Sequence, residues 1–218
     1  MTRRRTQVGA ALAALVLVAG CGGDEDGGDQ ASNLPEGCAD VAAPAPKQVQ
    51  AKPPAENLTG PATATVETSC GDFQIELDTT QAPKTASSFA SLAEQGIYDQ
   101  TPFHRIQRGF VIQGGDPLGD GTGGPGYSVD EPPPDDLAYL RGTVAMAKSG
   151  AEPPGRSGSQ FFVVTAPADA GLPPDYALLG RVSSGFDVVE RIEQLGDPGG
   201  ADGPPTAPVV IEHVTIQR

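Results

Sequence analysis

Short apolar runs, each broken by glycine or proline, follow one another along this chain from about residue 61 to its end. Most of them span four to eight residues, which fits a β-strand and is too short for an ordinary helix. The 29 glycines and 22 prolines among 218 residues supply turns between the runs. The pattern predicts one mid-sized domain made mainly of strands and loops.

Eight segments of the chain carry the strand pattern. The first two alternate apolar and polar residues and are separated by Cys70-Gly71, which predicts a hairpin with one solvated face. The predicted strands are 64–69, 72–78, 103–106, 110–113, 143–147, 160–165, 177–182 and 209–216.

Two further segments repeat apolar residues at helical spacing. The first begins at Pro83, a residue that the first turn of a helix accepts, and stops at Gly96. The second places Phe186, Val189 and Ile192 on one side and charged residues on the other. Many strands without alternating helices favour an antiparallel sheet that closes on itself. We therefore expect a mainly β fold, an eight-stranded antiparallel closed barrel capped by two α-helices.

The amino terminus has the pattern of a secretory signal peptide. Three arginines at 3–5 precede an apolar run of 12 residues at 8–19, and small residues lead to Cys21. The run is too short for a hydrocarbon core of about 30 Å. Residues 18–21 resemble the lipobox of bacterial lipoproteins, in which the cysteine is lipidated and becomes the new amino terminus. This predicts a signal peptide over 1–20 and a lipid anchor at Cys21 on the extracytoplasmic face of the cell membrane. An ordinary secreted protein cleaved nearby is the alternative.

The segment that follows the anchor is acidic and rich in proline and glycine. Such a composition buries too little apolar surface to order itself, so residues 21–60 are expected to be a flexible tether and 61–218 the folded domain. Cys38 and Cys70 can pair outside the cytoplasm, where disulfides persist. Two unrelated thiols are the alternative.

Charge and composition exclude several functional classes. The formal net charge is −14 and basic residues do not cluster after residue 5, so nucleic acid is not an expected partner. Two histidines and three cysteines make a metal cluster difficult to assemble. The segment 119–124 matches G-x-G-x-x-G, but Pro125 follows where a phosphate-binding helix should begin. We predict no metal and no cofactor.

The two most specific motifs are FHRIQRGFVIQGGD at 103–116 and SGSQFFV at 157–163. They resemble the cyclophilins, and the resemblance extends from the strand start at 71–72 to the segment 185–189. Together with the signal and the turn at 123–127, it is closest to the membrane-tethered bacterial members. The resemblance implies an eight-stranded barrel capped by two helices and peptidyl-prolyl cis/trans isomerase activity.

Amide rotation needs no nucleophile, because no bond is broken. The barrier is about 18–20 kcal/mol, and a catalyst must favour the twisted state, in which the prolyl nitrogen regains its lone pair. The resemblance makes Arg105 the hydrogen-bond donor to that state and Gln113 the residue that orients it. Phe110 completes the catalytic set.

The resemblance also assigns residues to substrate binding. The expected wall of the proline pocket is Phe110, Val111, Phe162 and Leu172, and the expected groove positions are Gly121, Ala147, Lys148 and Gln160.

Several positions depart from the family pattern. Tyr176 stands where many relatives carry a pocket histidine, and Gly171 where many carry a tryptophan, a loss expected to weaken cyclosporin binding. Lys148 replaces the groove asparagine, and Val111 replaces a methionine. His104, although part of the motif, is read as structural.

The sequence thus predicts a monomeric isomerase that acts on proline-containing polypeptides and assists the folding of exported proteins. The alternative is a lipoprotein that binds proline-containing segments as a chaperone or scaffold without turnover.

Overall fold

The computed structural model of the protein describes residues 34–218. These residues form eleven strands and two helices, and every strand pair is antiparallel. The strands are β1 (Ala62–Thr68), β2 (Gly71–Leu77), β3 (Thr101–Pro102), β4 (Arg105–Gln107), β5 (Val111–Gly114), β6 (Val129–Asp130), β7 (Thr143–Met146), β8 (Arg156–Ser157), β9 (Phe161–Val164), β10 (Leu178–Ser184) and β11 (Val210–Gln217), and the helices are α1 (Pro83–Glu94) and α2 (Phe186–Glu193).

The eight strands predicted from the sequence all form. The three additional strands, β3, β6 and β8, have two residues each, which is too short for an alternating pattern to show. The predicted hairpin is β1–β2, and its turn residue Gly71 has a φ of 106°, a conformation that favours glycine.

Both predicted helices form and pack against the sheet. The helix α1 begins at Pro83, buries Phe89 and Leu92, and contacts β10 and β11. The helix α2 buries Val189 and Ile192 and contacts β2 and β5. The apolar stripes of the two helices thus cover the core side of the sheet.

The main sheet is curled but not closed, so the predicted closed barrel is corrected to an open one. Nine strands follow the order β3-β11-β1-β2-β10-β7-β9-β5-β4, and within the described residues β3 and β4 do not pair with each other. One reason is that β3 has two residues and the second, Pro102, has no N–H to donate. A second reason is that the edge of β4 is occupied, because the Ile106 amide donates to the Gly203 carbonyl at 2.8 Å.

Residues 34–60 lie against the domain, which differs from the flexible tether predicted for this part of the chain. The amides of Lys47 and Ala51 donate to the carbonyls of Pro117 and Pro125 at 2.9 and 2.8 Å. The Lys47 ammonium donates to the Asp99 carbonyl at 2.5 Å, and burial lowers its pKa. We call residues 34–60 the arm.

A disulfide joins the arm to the hairpin turn between Cys38 and Cys70. Three apolar residues of the arm, Leu34, Val49 and Leu58, pack against the core. Composition alone did not reveal this order, because a few apolar contacts and backbone hydrogen bonds to loop carbonyls hold the arm.

The signal peptide predicted over 1–20 and the lipidation predicted at Cys21 lie outside the described residues. In the part of the chain that is described, no helix is long and apolar enough to cross a membrane.

Candidate active site

One row of side chains crosses four neighbouring strands on the outer face of the sheet. Arg105 on β4 pairs with Gln113 on β5, Gln113 pairs with Phe162 on β9, and Phe162 pairs with Ala145 on β7. Directly paired residues of an antiparallel sheet share a face. The residues next to them in sequence point inwards and belong to the core, among them Ile106, Ile112, Phe161 and Val144. Simple alternation therefore places the cation, the amide and the aromatic ring side by side.

The apolar residues predicted for the proline pocket do come together. Val111 and Phe162 are 2% and 4% exposed and form a cluster separate from the main core. Phe110, Leu172 and Tyr176 pack against this cluster while partly exposed. The rings of Phe162 and Tyr176 meet edge to face with centroids 5.4 Å apart. The result is a partly exposed apolar surface on the face of the sheet that carries Arg105.

Tyr139 supports this surface from behind and was not found from the sequence. It is fully buried; its hydroxyl donates to the Tyr176 carbonyl at 2.7 Å and accepts from the Tyr176 amide at 3.0 Å. Burial raises the pKa of Tyr139 to about 12. The partners are 37 residues apart, so no local pattern in the sequence could have indicated the contact.

Hydrogen bonds link Arg105 to the groove through two amide side chains. The Arg105 Nη1 donates to Gln113 Oε1 at 2.8 Å, and Gln113 Nε2 donates to Gln160 Oε1 at 3.0 Å. Gln160 Nε2 then donates to the carbonyls of Gly121 and Gly123 at 3.0 and 2.9 Å. Since each group has its partner, the chain of bonds fixes the orientation of both amides.

A buried aspartate organises the loop at the end of this chain of bonds. Asp116 is fully buried, and its carboxylate accepts from the amides of Leu118, Asp120 and Gly121 at 2.8, 3.1 and 2.6 Å. This anchors the loop that presents the Gly121 carbonyl to Gln160.

Arg105 has a second partner that the sequence did not reveal. Its Nε and Nη2 donate to the two carboxylate oxygens of Asp202 at 2.7 and 2.8 Å. The hydrogen bond from Arg105 lowers the pKa of Asp202. Asp202 lies 97 residues away from Arg105 in a loop rich in glycine and proline. In such a loop an acidic residue is expected to be solvated.

The predicted groove positions line one depression of about 690 Å³ beside the pocket. Lys148 lies on its pocket side: its Nζ is 5.6 Å from the centroid of the Tyr176 ring and donates to the Glu152 carbonyl at 3.1 Å. The sequence-predicted residues that line the depression are Gln113, Gly121, Ala147, Lys148 and Gln160.

Two further residues from the sequence analysis have distinct surroundings. Gly171 is exposed, with a φ of 67° and no neighbouring atom where a Cβ would stand. Its left-handed backbone would strain a larger residue. Burial lowers the pKa of His104, whose two ring nitrogens have no hydrogen-bond partner within residues 34–218.

Comparison with known proteins gives a consistent result. The family model described as "Cyclophilin type peptidyl-prolyl cis-trans isomerase/CLD" matches residues 63–216. The chain is 40% identical over 172 residues to peptidyl-prolyl cis-trans isomerase B of Streptomyces anulatus, covering 71% of this chain and 95% of that protein. It is 40% identical over 177 residues to the probable peptidyl-prolyl cis-trans isomerase B of Mycobacterium leprae, covering 72% of this chain. The match spans only 58% of the Mycobacterium leprae protein.

A crystal structure of a cyclophilin type peptidyl-prolyl cis-trans isomerase from Cryptosporidium parvum superposes with a TM-score of 0.65 and 33% identity. The match covers 73% of this chain and 99% of that one. The fold is therefore cyclophilin-like and mainly β, as the sequence predicts, with the open sheet as the correction. The chain belongs to the cyclophilin-type peptidyl-prolyl cis-trans isomerase family, a class of isomerases.

Proposed function

We propose that this chain catalyses the cis/trans isomerisation of X-Pro bonds at the surface formed by Arg105, Phe162 and Tyr176. The observation that carries the proposal is the fixed guanidinium on β4, two strands away from the Phe162 ring of an apolar pocket. The pocket holds the proline ring, and the guanidinium donates to the prolyl nitrogen or the proline carbonyl as the amide twists. The donor favours the twisted state because the nitrogen lone pair is available only there.

The groove beside the pocket takes the residues that precede the proline. Its lining includes the carbonyls of Gly121 and Gly123, each of which accepts one hydrogen bond from Gln160 and keeps a second lone pair for an extended peptide backbone. One of the similar solved structures was determined in the presence of the dipeptide Ala-Pro. A proline-containing polypeptide is accordingly the proposed substrate.

The test is a protease-coupled assay on a chromogenic proline tetrapeptide. Arg105→Ala should lower kcat/KM by about a hundredfold, the usual effect of removing one donor aimed at a transition state. Arg181→Ala, which removes an exposed arginine on β10, serves as the matched control and should keep full activity. A wild-type rate no higher than the uncatalysed rate would refute the proposal.

We further propose that the protein is exported, anchored by lipid at Cys21, and assists the folding of other exported proteins as a monomer. The basic, apolar and small residues of 1–21 support export and lipidation. The Cys38–Cys70 disulfide is consistent with an oxidising compartment. Mass spectrometry of the membrane fraction should find diacylglycerol on Cys21, and light scattering should give the mass of one chain. A soluble chain without acyl mass contradicts the anchor.

A second candidate function is binding of proline-containing segments without useful turnover. The departures from the family pattern at Gly171, Lys148 and Val111 favour it, because a protein that only binds does not need to hold the ring in the geometry for rotation. Peptide affinity measured beside the isomerisation rate separates the two functions. A chaperone would bind the peptide equally well with Arg105→Ala and show no catalysed rate in either form.

A further inference from the structure

We propose that Asp202 is a positioning residue for the isomerase reaction, holding the Arg105 guanidinium in the orientation that lets its remaining donors face the substrate. The inference rests on the proposed function. Asp202 itself acts through Arg105 and need not touch the peptide.

Asp202 and Gln113 share the hydrogen-bond donors of the Arg105 guanidinium. A guanidinium carries five N–H donors in one plane. Asp202 takes the Nε donor and one donor of Nη2, and Gln113 takes one donor of Nη1. One donor on Nη1 and one on Nη2 remain for substrate. Two acceptors at different edges of the guanidinium fix the orientation of its plane, which Gln113 alone cannot do.

The loop that carries Asp202 is itself held in place. The carbonyl of Gly203 accepts from the Ile106 amide at 2.8 Å, so the residue after Asp202 is bridged to the residue after Arg105. Residues on either side of a bridged pair point to the opposite face from that pair. Asp202 and Arg105 therefore share the outer face as diagonal neighbours.

Hydrogen bonds on both sides of Asp202 keep the loop in this shape. Asp197 Oδ1 accepts from the amides of Gly199 and Ala201 at 2.8 and 3.3 Å, and the Thr206 amide donates to the Leu195 carbonyl at 2.6 Å. The carboxylate thus reaches Arg105 from a fixed base.

The ion pair between Arg105 and Asp202 is partly exposed to solvent. The side chains of Arg105 and Asp202 are 34% and 43% exposed, and ion pairs at that exposure add little to stability. The bidentate contact therefore adds little to the stability of the fold. Its main effect is to order the long, flexible Arg105 side chain beside the pocket.

The experiment measures kcat and KM separately for the wild type and three variants. Asp202→Ala should lower kcat by about three- to tenfold, the cost of leaving one long side chain unordered, with KM within about twofold. Asp202→Glu, which keeps a carboxylate, should recover part of the loss. Asp130→Asn removes the same kind of bidentate contact, Arg156 Nε and Nη2 to Asp130 at 2.7 and 2.8 Å, away from the site. It should leave both constants unchanged.

A double-mutant comparison distinguishes positioning from a general effect on the fold. If Asp202 acts only through Arg105, then Asp202→Ala has no further effect in the Arg105→Ala background. Two results would overturn this inference without affecting the proposed function. One is a further loss of kcat in the Arg105→Ala background, and the other is a kcat for Asp202→Ala equal to that of an active wild type. A wild type without activity overturns the proposed function and this inference with it.

Discussion

Removing the disulfide between Cys38 and Cys70 should destabilise the domain by an amount that follows from the loop it closes. The two cysteines are 32 residues apart, and the chain-entropy relation gives about 3 to 4 kcal/mol for a loop of this length. For a domain of this size, each kcal/mol corresponds to about 2–4 °C in Tm. The variant Cys38→Ser/Cys70→Ser is therefore expected to unfold about 10 °C below the wild type.

The remaining contacts of the arm limit what the substitution disturbs. The amides of Lys47 and Ala51 donate to Pro117 and Pro125, and neither bond involves the disulfide. Hydrogen exchange should therefore find both amides still protected in the folded variant, even though the global stability has fallen.

Calorimetry on the wild type and the variant, each with and without reductant, is the assay. Reduced wild type should match the variant, and the variant itself should not respond to reductant. A Tm shift below about 2 °C would refute the reasoning, since the closed loop would then leave the unfolded chain almost unconstrained. A thiol count that finds both cysteines free in the unreduced protein would refute its premise.

Three other predictions concern the site. Tyr139→Phe should lower the free energy of unfolding by about 1–3 kcal/mol, because it leaves the Tyr176 backbone unpaired. In the wild type, the stability gained from the protonated Tyr139 hydroxyl is complete below about pH 10 and is lost as the pH rises towards the folded pKa of about 12. Urea titrations should find this loss in the wild type and not in the variant. Asp116→Asn should raise KM, since one amide oxygen cannot replace two carboxylate oxygens in holding the loop; an unchanged KM contradicts this. Gln160→Leu should lower kcat/KM by up to about tenfold in the tetrapeptide assay by separating Gln113 from the Gly121 carbonyl, and a full rate would show that this link is dispensable.

Regular elements were predictable from the sequence because their patterns are local. The alternation in β1 and β2 and the helical spacing after Pro83 identify which face of each element is buried. The sequence did not predict that the sheet is open, because this depends on whether the edge strands β3 and β4 pair. The Gly203 carbonyl, from a distant loop, occupies the edge of β4 instead. Order in the arm was missed for a similar reason, as its partners lie in loops elsewhere in the chain.

The candidate site was predictable in part. The motif residues Arg105, Gln113 and Phe162 fall into one row because strand pairing converts their spacing into adjacency. Tyr139 and Asp202 were not found, because their partners are 37 and 97 residues away and neither belongs to a recognisable pattern. The sequence thus predicted Arg105, Gln113 and Phe162 and missed Tyr139 and Asp202, which hydrogen-bond to the Tyr176 backbone and to the Arg105 guanidinium.

The arm determines where the chain can be truncated for expression. The family match begins at residue 63, which would suggest trimming the chain there for expression. Such a fragment would keep Cys70 as a lone thiol and uncover core surface that Leu34, Val49 and Leu58 now shield. A soluble fragment that reproduces the behaviour of the parent should start no later than Leu34.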